Sequence, residues 1–308
     1  MRNEIKFIKN TLTSIFNQDY PQEKIEIIIS DGRSSDNTLK EIKKIKPEKI
    51  KLKIVENIKL TMPSGFNLAL KSSNSDYVVM LGGHSIIPEN YISKSIENIK
   101  KYNAHCSGGV LETIGKGFWG KIIASVMSST FGVGNVSFRV NNAKSKFVNS
   151  VPFGCYQRNV FERIGFLDED LIRNQDDEFN FRMTQAGMKI WQDSSLEIKY
   201  FSRSNLLSFS RQYFEYGLFK IRVLQKRKRI LALRHLIPGL FVLSLFLPHV
   251  SQYSFLAYLT VNIFFSIKIG RFNFIKWLPL LITFFITHVS YGIGFILGFF
   301  RFGADWLK

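Results

Sequence analysis

Three acids stand side by side in NQDDEFNFR, residues 174–182: Asp176, Asp177 and Glu178, with Arg182 one helical turn further on. Carboxylates this crowded repel one another. That favours retention of a proton by at least one of them and suits it to act as a general base. The competing reading is an acidic helix start, which the helix macrodipole favours. SDGRSSDNT, residues 30–38, puts Asp31 and Asp36 in a turn after an apolar run, where a helix cap is the competing reading. In VVMLGGHSIIP, residues 78–88, an apolar run is delivered through Gly82 and Gly83 to His84, with no acid next to it in sequence. Gly154, in VPFGCYQR, allows close backbone approach. RQYFEYGLFKIR, residues 211–222, mixes aromatics with Arg211, Lys220 and Arg222 and reads as an interfacial amphipathic helix.

The elements that must position these groups follow from periodicity. Residues 4–16 have apolar positions at helical spacing, and Asp19-Tyr20-Pro21 ends that helix. EKIEIIISDG is predicted as a strand, TLKEIKKI as a helix, IKLKIVEN as a strand, PSGFNLALKSS as a short helix, DYVVML as a strand and PENYISKSIENIKKY as a helix. Such alternation predicts an α/β domain with a largely parallel sheet, in which ligands bind beyond the carboxyl ends of the strands. The Ser30–Asp36 turn and the Gly82–His84 turn lie at two such ends, so both are expected to face one site.

The apolar residues are unevenly spread. No Asp or Glu occurs between Glu215 and Asp305, and the last third of the chain carries the long apolar runs. A soluble part up to about residue 230 and a membrane part over 236–308, with two or three crossings, are therefore expected. LIPGLFVLSLFLPHV and YSFLAYLTVNIFFSI are short for a crossing and predict tilted helices or a re-entrant hairpin turning at Ser251-Gln252; residues 277–300 are long enough to span alone. The net charge of +18 comes partly from lysines between Lys40 and Lys59 and partly from RVLQKRKRILALRH, residues 222–235, just before the first apolar run. With no nucleic-acid motif beside it, this balance predicts attraction to anionic membrane lipid and excludes nucleic acid as the partner. Cys106 and Cys155, in no metal or redox spacing, fit a reducing cytosolic compartment.

Taken in order, DGxSxDxT, the strand-end turn at Gly82–His84, FGCYQR, QDDE before F-x-R, RQYFxYGxxK and then apolar helices resemble the processive-type family 2 glycosyltransferases, and among them the succinoglycan-type exopolysaccharide enzymes. The resemblance runs over most of the chain. It implies a GT-A nucleotide-sugar-binding α/β domain with a Rossmann-like mixed sheet over 1–230, with 200–230 as an amphipathic interface segment, followed by transmembrane helices. It further implies an inverting hexosyltransferase, multi-pass in the cell membrane with its catalytic domain cytoplasmic. The donor would be a nucleotide sugar, a UDP-sugar by family habit, and the acceptor a lipid-linked or nascent polysaccharide, with other polysaccharide-synthesis proteins as partners.

The resemblance also distributes roles. Asp31 contacts the nucleotide base and Asp36 supports that pocket. Asp176 takes the proton from the acceptor hydroxyl, with Asp177, Gln212 and Tyr213 on the acceptor side. Gly82-Gly83-His84 stands where the family has a D-x-D motif and the succinoglycan-type branch often Asp-Gly-His. This places Gly83 and His84 at the donor and makes His84 the ligand of a divalent cation, manganese or magnesium; a neutral imidazole suits manganese better. Gly82 contributes no acid. MRNE matches the middle of the family's entry motif, the family's first strand is absent before it, and an upstream start is the expectation. A second reading is a degenerate, non-catalytic subunit of a synthesis complex. A small transporter is a third, disfavoured because the C-terminal helices carry no Asp or Glu for a coupling site.

Overall fold

The computed structural model describes residues 1–303 apart from 46, 135, 141–142 and 228–232. In chain order the elements begin with α1 (Ile8–Phe16), β1 (Glu26–Asp31), α2 (Thr38–Lys44), β2 (Lys51–Glu56), α3 (Met62–Lys71), β3 (Tyr77–Val79), β4 (Ser85–Ile86) and α4 (Tyr91–Lys101). They continue with β5 (Cys106–Ile114), α5 (Gly117–Met127), α6 (Thr130–Val133), β6 (Lys146–Val148), β7 (Cys155–Gln157), α7 (Arg158–Ile164), α8 (Gln175–Gln185) and β8 (Ile190–Phe201). Four helices close the chain: α9 (Leu206–Arg227), α10 (Leu233–Ser244), α11 (Val250–Gly270) and α12 (Trp277–Phe302). Two compact units result, one of Met1–Glu112 with Asn142–Tyr200, the other of Thr113–Asn141 with Phe201–Lys308. Residues of the 113–141 stretch thus group with the later helices.

In the first unit every predicted helix and strand up to residue 101 forms within a few residues of its expected place. The sheet is mixed, as the family resemblance implies, rather than largely parallel as the strand–helix alternation alone predicts. β1 and β2 pair in parallel as a two-stranded sheet. The other strands form a six-stranded sheet in the order β3-β7-β5-β8-β4, with β6 on β8. There β3 with β7, β4 with β8, β5 with β7 and β6 with β8 are all antiparallel. These antiparallel pairs all involve β7 or β8, which lie beyond residue 101 and outside the strand–helix alternation of the first hundred residues. Apolar layers cover both faces. Ile27 and Ile29 of β1 pack with Ile8, Leu12 and Ile42, while Val78 and Met80 face Tyr156, Phe161 and Phe179. Gly154 lets β7 pass close to β5, since a Cβ there would lie 2.7 Å from the Cys106 sulfur.

In the second unit α9 and α12 pack through glycines. A Cβ on Gly217 would lie 2.1 Å from the Tyr291 carbonyl oxygen, and one on Gly294 equally close to that of Phe214. Gly294 and Gly298 form a small-xxx-small face, and Ser210 and Ser290 hydroxyls meet across the seam at 2.9 Å. Within α9, Gly217 through Ile221 are all buried, while Arg211 is exposed. α11 and α12 have the length and apolarity to cross a bilayer. Ser251 and Gln252 lie inside α11; the chain turns instead at Pro248-His249, where His249 adopts a left-handed conformation with φ 65°. The basic stretch 222–235 falls partly outside the described residues.

Candidate active site

Residues 1–5 gather the donor-side candidates. The Met1 amino group donates to the Ser30 carbonyl (2.7 Å) and the Gly32 N–H to the Met1 carbonyl (2.8 Å). Asn3 bonds Ser34 and Ser35, and the Glu4 N–H donates to the Thr38 hydroxyl (2.9 Å). The Glu4 carboxylate turns the other way and meets His84 Nδ1 at 2.9 Å. One short segment thus ties the turn after β1 to the turn after β3, and Asp31, Asp36, Gly83 and His84 share one region.

The side chains there are already engaged. Asp31 is 3% exposed and accepts the Ser34 N–H (2.9 Å) and hydroxyl (2.6 Å), which fixes the turn. Asp36 accepts the Thr38 N–H (3.0 Å) and hydroxyl on one oxygen and the Ile5 N–H (3.3 Å) on the other. The Thr38 hydroxyl, above all, holds its carboxyl below the usual range. Asp36 therefore braces the start of α2 against residues 1–5.

The acid that the sequence lacks beside His84 arrives from 80 residues upstream. A Cβ on Gly83 would come within 2.9 Å of Glu4 Cγ, so the glycine makes room for Glu4; a Cβ on Gly82 would press on the Phe153 ring at 3.3 Å. His84 also lies edge-on to Phe7 and tilted against Tyr200. Glu4 carried no separate signal in the sequence beyond its place in MRNE. A carboxylate facing one imidazole nitrogen is the arrangement that orients metal-ligating histidines through the other. Among the described residues no group of three or more His, Cys, Asp or Glu is placed to hold a metal ion. The donor set fits a cation only as one imidazole, oriented by Glu4, with further ligands coming from a bound diphosphate.

Asp176 and Asp177 open α8, with the Asp177 N–H donating to Asp176 (2.9 Å). They sit where the helix dipole favours negative charge. Of the three acids, Glu178 is the structural one. It is fully buried and paired bidentately with Arg182 at 2.7 and 3.1 Å, while Arg182 also donates to the Ile164 and Phe166 carbonyls. The loop leading to α8 is pinned by Asn67, whose amide both donates to and accepts from the Leu167 backbone at 2.9 and 3.0 Å. Below lies Tyr156, whose hydroxyl pKa is pushed well up by burial, with nearby charge including Asp176 adding to the effect. Gln212 and Tyr213 lie on α9 in the second unit. Gln212 donates to the Tyr216 hydroxyl (2.8 Å), its buried amide oxygen has no hydrogen-bond partner among the described residues, and Tyr213 packs on Phe209.

Known proteins resemble this chain in sequence and in fold. The family model "Glycosyl transferase family 2" matches residues 1–165. A relative from Methanococcus voltae, dolichyl N-acetyl-alpha-D-glucosaminyl phosphate 3-beta-D-2,3-diacetamido-2,3-dideoxy-beta-D-glucuronosyltransferase, is 32% identical over 73% of this chain and 72% of its own length. Succinoglycan biosynthesis protein ExoA of Rhizobium meliloti is 24% identical over 69% of this chain, and the match spans 64% of that protein. Among solved structures, Pyrobaculum calidifontis mannosyltransferase PcManGT, in complex with GDP-Man and Mn2+, superposes with a TM-score of 0.61 at 14% identity, covering 94% of this chain and 84% of that one. S. aureus TarS 1–349 with UDP-GlcNAc gives a TM-score of 0.53 at 16% identity, covering 98% and 90%. The α/β unit thus has the GT-A fold of these structures, and with the family model spanning more than half of the sequence the chain belongs to glycosyl transferase family 2 and is a glycosyltransferase.

Proposed function

We propose that the chain moves a hexose or hexose derivative from a nucleotide sugar, a UDP-sugar, to a lipid-linked or polysaccharide acceptor with inversion at the anomeric carbon. The observation that carries this reading is the joining of the Asp31 turn to the Glu4–His84 pair by residues 1–5, which supports a donor site at these strand ends. The name of the archaeal relative, with its dolichyl-phosphate-linked sugar, supports a lipid-linked acceptor. Asp31 and Asp36 hold the turn that receives the nucleotide, and Gly83 gives the diphosphate side close backbone approach. His84, oriented by Glu4, would hold a divalent cation, manganese or magnesium, which would supply positive charge for the departing diphosphate. Asp176 takes the proton of the acceptor hydroxyl as that oxygen bonds to the anomeric carbon and the bond to the nucleoside diphosphate breaks on the opposite face. Asp177 assists on the acceptor side; Gln212 and Tyr213 are assigned there by their place in the motif order.

α11 and α12 anchor the protein in the cell membrane, with the catalytic unit cytoplasmic. Lys268 stands in the last turn of α11 with Arg271 and Lys276 following it before α12, and the basic stretch 222–235 runs from the end of α9 to the start of α10. Positive-inside bias puts both basic regions on one side, so α10 and α11 enter and return as a hairpin.

The test is donor turnover in membranes containing the chain, with UDP-glucose, UDP-galactose and UDP-N-acetylglucosamine, with and without manganese. Asp176→Asn is expected to lower transfer by about 10²–10⁴-fold while leaving thermal unfolding unchanged. Full transfer by this variant removes Asp176 as the base. No turnover by the parent with any donor and acceptor lipid favours the non-catalytic subunit instead.

A further inference from the structure

The two long apolar helices of the second unit meet their surroundings differently. The most apolar stretch of α11 is 17% buried and that of α12 44% buried. Much of that cover comes from α9, which runs in the same direction along the second half of α12. Ser210 meets Ser290, Gly217 lies on the Tyr291 and Phe295 backbone, and Ile221 lies on Gly298. Further on, the Phe219 ring and the Arg222 guanidinium both reach the Phe302 ring. The contact therefore rises in step on both helices, from Ser210 to Arg222 on one and from Ser290 to Phe302 on the other.

α9 limits the level at which this pair can lie. It carries Arg211, Glu215, Lys220, Arg222, Lys226 and Arg227 within 22 residues, and charged side chains are costly in hydrocarbon. The seam ties α12 to the same level. A Cβ on Gly298 would lie 2.8 Å from the Leu218 carbonyl oxygen and 2.8 Å from Ile221 Cγ1, so the two helices touch backbone to backbone. The other face of α12 is apolar. Ile293, Leu297 and Phe300, at steps of four and three, are 39%, 44% and 79% exposed, whereas Gly294, Phe295 and Gly298 are buried. A helix covered by protein on one face, with an apolar stripe on the other and Arg301 exposed at its end, is built to lie in the membrane interface.

We propose that α9 and the Ser290–Phe302 half of α12 form one interfacial pair, seated in the headgroup layer of the cytoplasmic leaflet, and that α12 does not complete a crossing. Ile293, Leu297 and Phe300 face the acyl chains, while the cations of α9 and Arg301 lie level with the lipid phosphates. Glu215 is the one acid on either helix, so little opposes that attraction. Length and apolarity alone allow α12 to span; the charges of its partner decide against it. The inference rests on the reading of the chain as membrane-anchored with a cytoplasmic catalytic unit, and it places Gly303 on the side of that unit. A spanning α12 after an α10–α11 hairpin places Gly303 on the opposite side.

The experiment uses the full chain with single added cysteines, since Cys106 and Cys155 are both buried. Lys100→Cys, at an exposed position of α4, marks the catalytic unit, and Gly303→Cys, with nothing within 4 Å, marks the end of α12. A membrane-impermeant maleimide is applied to intact cells and to inverted membranes. Both cysteines are expected to label in inverted membranes and neither in intact cells. Labelling from opposite sides means that α12 crosses and overturns the proposal. Labelling of both in intact cells sinks the cytoplasmic placement of the catalytic unit, and with it the leaflet named here. Depth is then read from nitroxide labels on Leu297→Cys and, in α11, Phe264→Cys, in vesicles of phosphatidylcholine and phosphatidylglycerol. The Leu297 label is expected about 5–10 Å into the headgroup and acyl boundary, with the Phe264 label deeper. A Leu297 label at the bilayer centre overturns the proposal. Both labels in water would remove the membrane anchor itself, a failure of the reading beneath it. Neither readout needs sugar transfer, so each is separate from failure of the proposed reaction.

Discussion

At the residue scale the decisive pair is Glu4 and His84. The histidine was legible as the end of a strand motif; its carboxylate was not, because the two are 80 positions apart and meet only through the folding of residues 1–5 over both turns. A histidine with a carboxylate on Nδ1 presents Nε2 in a fixed direction. Glu4→Gln should therefore weaken manganese activation of transfer by about 10–100-fold with little change in the fold, measured by titrating the metal at saturating donor. An unchanged activation curve separates His84 from any metal role. The acidic triplet also sorts by residue. The sequence grouped Asp176, Asp177 and Glu178 equally; burial and the bidentate bond to Arg182 show Glu178 to be the structural member.

At the scale of elements, α8 is held to α7 and the loop after it largely by Arg182. The guanidinium joins the buried Glu178 to the Ile164 and Phe166 carbonyls and lies over the Phe179 ring. Arg182→Met strands a buried carboxylate and should destabilise the protein by about 3–5 kcal/mol, read as a lowered urea midpoint. Adding Glu178→Leu should recover much of it, and failure to recover would place the effect elsewhere. A second element-level contact is the seam of β5 and β8. The Lys189 N–H donates to His105 Nδ1 at 3.2 Å, which requires the neutral ring, and burial, with Arg163 and Lys189 adding charge, keeps the folded His105 pKa below its usual value. Unfolded His105 protonates near about pH 6.5, folded His105 only at lower pH. The stabilisation is thus complete above about pH 6.5 and is lost as pH falls through the lower, folded value. Denaturation midpoints from pH 7.5 to 5 should fall more steeply for the parent than for His105→Gln; parallel curves would remove His105 as the source.

At the scale of the whole molecule, the two compact units rest on different physics. The first is an α/β core of Ile, Leu, Val and aromatic layers. The second brings helix backbones together at glycines, an arrangement favoured where lipid removes the hydrophobic drive between helices. Its outward side chains include Leu256, Phe264, Leu278 and Phe300, each more than half exposed, as expected of a lipid-facing surface. Gly294→Leu drives a side chain into the Phe214 carbonyl and should lower thermal stability in detergent by more than about 1–3 kcal/mol, with aggregation. Gly303→Leu, at a helical position with nothing within 4 Å, is the control and should be near neutral. Equal behaviour of the two would show that the α9–α12 seam is not held by close backbone approach.

The sequence by itself determined what depends on local pattern. The strands and helices up to residue 101, the capped turns at Asp31 and Asp36, the acidic head of α8 and the apolar C-terminal third follow from periodicity, capping residues and composition, all readable within a dozen positions. Only the tertiary structure decided what depends on contacts distant in sequence. β7 runs antiparallel to β3 and β8 antiparallel to β4, and α9 is enclosed because Gly217 meets the Tyr291 backbone while Gly294 and Gly298 of α12 meet the Phe214 and Leu218 backbone. The acid for His84 comes from Glu4 because Gly83 leaves room for it. Each of these joins segments scores of residues apart, and no periodicity within either segment records its partner.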